Sequence, residues 1–332
     1  MRLFQHFARA TPWLAGLGLA GLVGLSLLLG RYPLSAAQVL AALAGQADAL
    51  TRQVLWGTRL PRVLAALLVG AGLAVAGAAY QGVFRNPLVS PGLLGVLAGC
   101  ACGAAAGVLL GAAPAVVALL ATLGGWLAVG LALAIAHWAE RGSMLVLLLA
   151  GLLSAALFNG ALSLLKYLAD PQEQLPSIVY WLLGSLASVD THLLRWVGPM
   201  LLAATLALCA MGRLLDALSL DDDEAASLGL AVRPLRLLVI VLATATSALT
   251  VTLAGMVGWV GLLVPHLARL WWGPAHGRLL PLCALLGAGF VLLADDLARS
   301  LGPGEIPLGI VTELAGALVF VLLLPRLRRG WA

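Results

Sequence analysis

The sequence predicts an all-α protein that crosses a membrane about ten times. Of its 332 residues, 62% are hydrophobic and 10% are charged, whereas soluble domains carry about 25% charged residues. One aqueous core cannot hide so much apolar surface, so most of the chain is expected to have lipid as its solvent. In lipid only helices or closed barrels satisfy the backbone, and the long apolar runs lack the alternation of a barrel strand. We therefore predict a single helical transmembrane domain over residues 1–332.

Polar residues and Pro/Gly connections separate the apolar spans. The first span follows Arg2 and Arg9 and is longer than the roughly 7–15 apolar residues of a signal peptide, so we expect a retained helix rather than a cleaved leader. Several spans are rich in Gly and Ala, which let transmembrane helices pack closely. The predicted spans cover residues 12–30, 60–82, 92–112, 114–138, 144–168, 192–214, 235–254, 255–272, 279–299 and 306–325.

The placement of basic residues predicts how the spans are oriented. If both termini are cytoplasmic, 12 of the 19 Lys and Arg residues lie inside, which is the sense of the positive-inside rule. The net charge of +5 is scattered between apolar runs, and this argues against binding of nucleic acid. The cysteines lack zinc spacing and are expected to be small buried hydrophobes; they are Cys100, Cys102, Cys209 and Cys283.

Residues 218–230, LSLDDDEAASLGL, form an acidic island between the sixth and seventh spans, on the predicted cytoplasmic side. Ser219 is expected to cap a short helix that starts near Leu220, so that the carboxylates at 221–223 lie in its first turn and oppose the positive end of the helix dipole. Gly229 is well placed to end this helix, and Pro234 lies just beyond. The acidic run is therefore compatible with a capped surface helix and with a contact for a partner.

The sequence lacks a Walker A motif, which needs a lysine after glycine, because its only lysine, Lys166, lies in LSLLKYLAD. Any ATP-driven role must therefore use a separate ATPase subunit. No catalytic or metal-binding constellation is recognisable, and the adjacent Asp295 and Asp296 would point in different directions on a helix. The competing hypothesis is an ion-coupled secondary transporter, which needs ionisable groups such as Glu313 within the membrane.

Five stretches follow one another over nearly the whole chain. They are RLPRVLAALLVGAGLAVAGAAYQGVFRNPLVSPGLLGVLAG at 59–99, LPSIVYWLLGSL at 175–186, DALSLDDDEAASLGL at 216–230, GMVGWVGLLVPHLARL at the start of 255–299, and GEIPLGIVTELAGALVF at 304–320. Together they resemble the motifs of FecCD-type permeases, the membrane subunits of bacterial ABC importers for iron–siderophores, haem and vitamin B12.

The resemblance implies an ABC-importer type II permease fold and a place in the bacterial inner membrane. It implies a homodimer with the path between the two copies, two ATPase subunits carrying ATP–Mg on the cytoplasmic side, and a chelate-binding protein outside. The implied substrate is a metal chelate, with an iron–siderophore or haem first and vitamin B12 next. This chain would then be a transport subunit with no ATPase site and no cofactor of its own.

The resemblance also implies roles for particular residues. Segment 216–234 would be the cytoplasmic coupling loop, in which EAASLG at 224–229 matches the family's ATPase-docking motif. The implied coupling residues are Asp221, Asp222, Asp223, Glu224, Ala225, Ala226 and Gly229. The arginines implied to meet glutamates of the binding protein are Arg59, Arg62 and Arg299. The implied gate residues are Asn86 and Leu88 after the second span, and Met144 and Leu145 before the fifth. Whether the three aspartates select the ATPase or only cap a helix stays open.

Overall fold

The computed structural model describes residues 2–30, 32–140, 143–187, 189, 191–302 and 304–327, and for 2–12 and 324–327 it describes the backbone alone. These ranges contain helices and turns and no strand. The helices are α1 (Arg2–Leu28), α2 (Ala36–Leu43), α3 (Ala49–Val54), α4 (Leu60–Val83), α5 (Val96–Leu109), α6 (Pro114–Ala139), α7 (Met144–Leu168), α8 (Gln174–Leu182), α9 (Thr191–Ala210), α10 (Gly212–Leu218), α11 (Asp222–Ser227), α12 (Val232–Ala254), α13 (Val260–Trp272), α14 (His276–Ser300) and α15 (Leu308–Leu327).

Each predicted span falls on a helix, namely α1, α4, α5, α6, α7, α9, α12, α13, α14 or α15. The described segments that are long and apolar enough to cross a membrane are Ala49–Val83, Pro114–Ala139, Met144–Leu168, Thr191–Ala210, Val232–Ala254 and His276–Ser300. Shorter apolar helices lie at Trp13–Leu28, Val96–Leu109 and Leu308–Leu323. The all-α, multi-spanning fold class is confirmed. Helices α5 and α13 are shorter than predicted because a 3-10 turn at Pro91–Leu94 precedes α5 and non-helical backbone at 255–259 precedes α13.

Helix α4 is the centre of the bundle, and it packs against α9, α12, α13 and α14. Glycines bring it against two of these neighbours. A Cβ at Gly70 would lie 2.1 Å from the carbonyl oxygen of Gly287 in α14, and a Cβ at Gly77 would lie 1.9 Å from that of Gly261 in α13. These backbones therefore touch directly, as small residues allow between helices in lipid.

Three chain turns meet beside the ends of α8 and α12 and the start of α15. The backbone N–H of Ser185 donates to Ala254 at 2.9 Å, and that of Leu308 donates to Gly184 at 2.9 Å. Gly184 has φ +69°, and a Cβ there would lie 2.4 Å from the carbonyl oxygen of Met256. This junction places the 255–259 turn against α8 and α15.

The two ends of the bundle are distinguished by their ion pairs. Near the start of α4, Arg62 contacts Asp295 in α14, and just after its end Arg85 contacts Asp222 in α11. We call the first the arginine end, after Arg59, Arg62 and Arg299, and the second the α11 end. Helix α7 starts at the α11 end, where Met144 and Arg233 of α12 line one cavity, so its last turn lies at the arginine end.

Candidate functional site

The acidic island forms the short helix α11, as the sequence predicts, with Asp222, Asp223 and Glu224 in its first turn. The predicted cap is wrong. Ser219 instead ends α10 and donates its hydroxyl to the carbonyl of Leu215 at 2.7 Å. Asp221 occupies the N-cap position without a side-chain capping bond. The carboxylates therefore meet the positive end of the helix dipole without a serine cap.

The end of α11 is as predicted. Gly229 has φ +79°, a left-handed conformation that glycine adopts readily and that residues with a Cβ disfavour. Its N–H donates to Ala226 at 2.9 Å, and the N–H of Leu230 donates to Ala225 at 3.4 Å. These two bonds are the Schellman arrangement, which satisfies the last helical carbonyls.

Asp222 attaches α11 to two long helices. Its carboxylate accepts hydrogen bonds from both terminal nitrogens of Arg236 in α12, at 2.7 and 3.0 Å. The same carboxylate accepts a hydrogen bond from Nη2 of Arg85, just after α4, at 2.6 Å. Hydrogen bonds from Arg236, and then from Arg85, lower the pKa of Asp222 to about 2 although partial burial opposes them. The carboxylate is therefore ionised at neutral pH and bridges the two arginines.

The other acidic residues differ from Asp222. Asp221 accepts Nη1 of Arg85 at 3.3 Å and is 85% exposed at its side chain. Asp223 and Glu224 are exposed, and neither forms an ion pair with the residues whose side chains are described. Ala225 is fully buried on the opposite face. Helix α11 therefore presents an acidic outer face while Asp222 and Ala225 hold its inner face to the bundle.

The surface around α11 also exposes apolar side chains. Leu220 before the helix is 41% exposed, and Leu228 at its end is 63% exposed. Ala226 is exposed between them. Leucines beside carboxylates are typical of a contact surface with an apolar centre and a charged rim.

Helix α10 ties the same region to α14. Asp216 accepts the backbone N–H of His276 at 2.6 Å and its Nδ1 at 2.8 Å, at the first residue of α14. Arg85 also donates to the carbonyl of Leu218 at 3.3 Å. A displacement of α10 and α11 would thus act directly on α4, α12 and α14.

The predicted gate residues all lie at the α11 end. Asn86 is half-buried, and its Oδ1 accepts the backbone N–H of Leu88 at 2.9 Å, so it stabilises its own turn. Leu88 is 49% exposed and Leu145 is 67% exposed. Met144 lines a cavity of about 340 Å³ between α6, α7 and α12. Their role as a gate stays a prediction.

The three predicted docking arginines are buried, contrary to the surface position that the sequence suggests. Arg62 donates to both carboxylate oxygens of Asp295, at 2.8 and 2.9 Å, and to Glu305 at 3.0 Å. Arg59 donates to the carbonyls of Leu27 and Tyr32.

Arg299 completes this internal network. It donates to Asp296 in its own helix and, at 2.7 Å, to the carbonyl of Ser26 in α1. The Ser26 hydroxyl donates to Asp296 at 2.8 Å. The network joins α1, α4 and α14, and it accounts for the three arginines without a partner. Docking of a binding protein at these arginines stays a prediction.

Sequence reasoning missed the partners of both acidic groups. Arg236 lies 14 residues after Asp222, and Arg62 lies 233 residues before Asp295. In each pair the two residues lie on different helices, so no periodicity within one helix relates them. The available signal was chemical: Asp295 and Asp296 fall within an apolar span, and intramembrane acids usually have basic partners.

A second cavity lies at the arginine end. It measures about 800 Å³ and lies between the α5–α6 connection, α8 and the end of α12. Tyr180, Ser185 and Thr252 contribute polar atoms to an otherwise largely apolar wall. This volume is in the range of small-molecule sites.

The profile of the FecCD transport family matches residues 18–326. The chain belongs to the FecCD transport family. It is 42% identical over 312 residues to the molybdate import system permease protein MolB of Haemophilus influenzae, covering 92% of each chain. It is 38% identical over 289 residues to the hemin transport system permease protein HmuU of Yersinia pestis, covering 84% of this chain and 86% of that protein.

A solved structure agrees with this assignment. An inward-facing transporter described as of the metal-chelate ABC type has a TM-score of 0.89 and 39% sequence identity, covering 96% of this chain and 99% of that chain. The protein is thus a multi-pass permease of the FecCD family of ABC transporters. In this class the ATPase is a separate subunit.

Proposed function

We propose that this FecCD permease is the membrane subunit of a bacterial importer for a metal-containing substrate, and that it works as a homodimer with the pathway between the two copies. The observation that carries the proposal is α11, which is anchored by Asp222 and Ala225 and presents an exposed acidic face. Such a helix suits a membrane protein that receives its energy from another chain. Family membership supports the same role.

The ATPase would bind the exposed face of α11. The exposed carboxylates of Asp223 and Glu224 would be complementary to a basic surface on that partner, and Leu228 adds apolar contact area. Movement of α11 would pass to α12 through the bond from Asp222 to Arg236, and to the end of α4 through Arg85. Rigid helices would then rock to open the pathway on alternate sides. The ATP–Mg chemistry belongs to the partner.

The α11 end would be cytoplasmic in this arrangement, and a substrate-binding protein would dock at the arginine end. An iron–siderophore or haem is the first substrate class, because relatives include a hemin permease and a transporter of the metal-chelate type. Molybdate is the second, because the relative that is 42% identical over 92% of the chain carries that name. Vitamin B12 is a further candidate.

Reconstitution tests the proposal. The permease, its ATPase and its binding protein are placed in liposomes, and uptake of a ferric siderophore, haem, molybdate and vitamin B12 is measured with and without ATP. We expect uptake of one substrate to require ATP and an active ATPase. An ATPase that cannot hydrolyse ATP serves as the control. Uptake that follows a proton or sodium gradient without ATP would establish the ion-coupled carrier instead.

A further inference from the structure

A cavity of about 380 Å³ lies between α5, α7, α8 and Met256. Its wall is apolar except for two side chains of α7, Asn159 and Lys166. The two residues are seven positions apart and therefore share one face of the helix. Lys166 is also the only lysine of the chain.

In the described part of the chain, Lys166 forms no ion pair. The next acidic residue, Asp170, uses its carboxylate to accept the backbone N–H groups of Gln172 and Glu173, both at 2.9 Å. Lys166 is half-buried and Asn159 is exposed, so both side chains can be reached from outside the chain. The cavity therefore offers an ammonium and an amide to an anion.

The cavity lies in the half of α7 that ends at the arginine end. Lys166 is two residues and Asn159 is nine residues before the end of α7, which places them about 3 and 13 Å from the arginine end along the helix. The donors thus extend from the surface into the span. In the most apolar stretch of α7 only 28% of the residues are buried, so most of this helix is available to a second copy, to the pathway or to lipid.

We propose that Asn159 and Lys166 form an anion-binding site on the pathway wall, and that the substrate carries negatively charged oxygens that bind there. This inference rests on the proposed transport function and narrows its substrate class. Lysine binds compact oxyanions as a point charge, and the asparagine amide donates further hydrogen bonds. A metal oxyanion or an acidic metal chelate has the required oxygens. The phosphate of a lipid headgroup has the same chemistry, so the experiment must separate the two.

The unique lysine allows a direct test. The permease–ATPase complex in phosphatidylcholine nanodiscs is treated with acetic anhydride, and acetylation of Lys166 is followed by peptide mass spectrometry. We expect sodium molybdate or a ferric siderophore to slow acetylation of Lys166 relative to sodium chloride at equal ionic strength. Lysines of the partner ATPase are the internal reference. Absence of protection at Lys166, or equal protection at the reference lysines, would overturn the site.

A lipid arm separates the two anion sources. The same labelling is repeated without added anion in nanodiscs that contain phosphatidylglycerol. Unchanged acetylation of Lys166 supports a site for the transported anion. If the anionic lipid alone protects Lys166 as fully as the substrate does, the side chain binds headgroups, and the proposal is wrong.

Uptake by variants supplies a functional measurement. Lys166→Gln is expected to raise KM about tenfold with little change in kcat, because one charge-assisted hydrogen bond is lost, while Lys166→Arg keeps most of the affinity. Ser163→Ala, on the same helix but outside the cavity lining, is the matched control. An unchanged KM in Lys166→Gln would reject the site while the transport function stands. Absence of any ATP-dependent uptake by the wild-type complex would instead reject the transport function.

Discussion

The two ends of the bundle use the same chemistry for different purposes. At the arginine end, Arg62 and Asp295 have side chains that are 9% and 2% exposed. At the α11 end, Arg236 is 4% exposed, but its partner Asp222 is 51% exposed. The Arg62–Asp295 pair joins two helices inside the protein. The Arg236–Asp222 pair leaves one side of the carboxylate open to solvent. Burial, and not the type of residue, therefore distinguishes a structural ion pair from one that a partner can reach.

This difference has an energetic consequence. Removing one member of a buried pair leaves an uncompensated charge and costs about 3–5 kcal/mol, whereas exposed pairs contribute about 0.2–1 kcal/mol. The arginine end should therefore respond to substitution through stability. The α11 end should respond through coupling.

The largest effect is expected from Asp295→Asn, which leaves the buried Arg62 without its main partner. The free energy of unfolding should fall by about 3–5 kcal/mol, measured by thermal or denaturant unfolding of the purified chain in detergent. Glu305→Gln is the matched control, because that carboxylate contacts the same arginine but is 26% exposed. Equal losses of stability in the two variants would show that the burial of the carboxylate does not determine the cost of removing it.

Arg59→Gln should have the next largest effect. It leaves the carbonyls of Leu27 and Tyr32 without their donor, at a cost of about 1–3 kcal/mol. Capture of the binding protein at low and high salt is measured beside stability. Stability should fall while the salt dependence of capture stays the same. Weaker, salt-sensitive capture with unchanged stability would favour the docking role and contradict the structural one.

Asp222→Asn should weaken the attachment of α11 to α12 and α4. We expect a loss of stability of about 1–3 kcal/mol, because the buried guanidinium of Arg236 loses a charged partner while the half-exposed Asn side chain can still accept a hydrogen bond from it. ATP hydrolysis should continue while substrate uptake per ATP falls severalfold. The comparison of hydrolysis and uptake in liposomes checks this, with Asp221→Asn as the control on the more exposed neighbour. Unimpaired uptake per ATP in Asp222→Asn would rule out this bond as the coupling link.

The attachment of α11 should also be insensitive to pH over the physiological range. The pKa of Asp222 is lowered to about 2, so its stabilisation is present above the unfolded value of about 3.9 and is lost as the pH falls through about 2. Hydrogen exchange at the α11 amides, corrected for the intrinsic rate, should therefore be the same at pH 8 and pH 5. Faster corrected exchange at pH 5 would contradict this assignment.

The smallest effect on stability is expected from Asp223→Asn combined with Glu224→Gln. Both side chains are exposed, so the free energy of unfolding should change by no more than about 0.5 kcal/mol. Affinity for the ATPase should nevertheless fall, and it should fall more at low salt, where charges act over longer distances. Titration of the ATPase into permease nanodiscs measures this. Unchanged affinity would mean that the acidic face does not contribute to the contact.

The sequence by itself determined the features that depend on neighbouring residues. Apolar runs located the spans, and the acidic run followed by Gly229 located α11, because span length, helix dipoles and C-terminal glycines act over a few residues. The motifs from 59 to 320 were also sufficient to recognise the family. The wrong cap at Ser219 shows the limit even there, because α10 uses that hydroxyl for its own end.

Only the tertiary structure decided which charges are available to a partner. Arginines 59, 62 and 299 look like outer loop or helix-end charges in the sequence, yet they are buried against α1 and α14. Asp222 looks like its neighbours, yet it alone bridges Arg85 and Arg236. The physical reason is that an ion pair depends on distance and on solvent exposure. Both are set by helix packing between residues that are far apart in the chain.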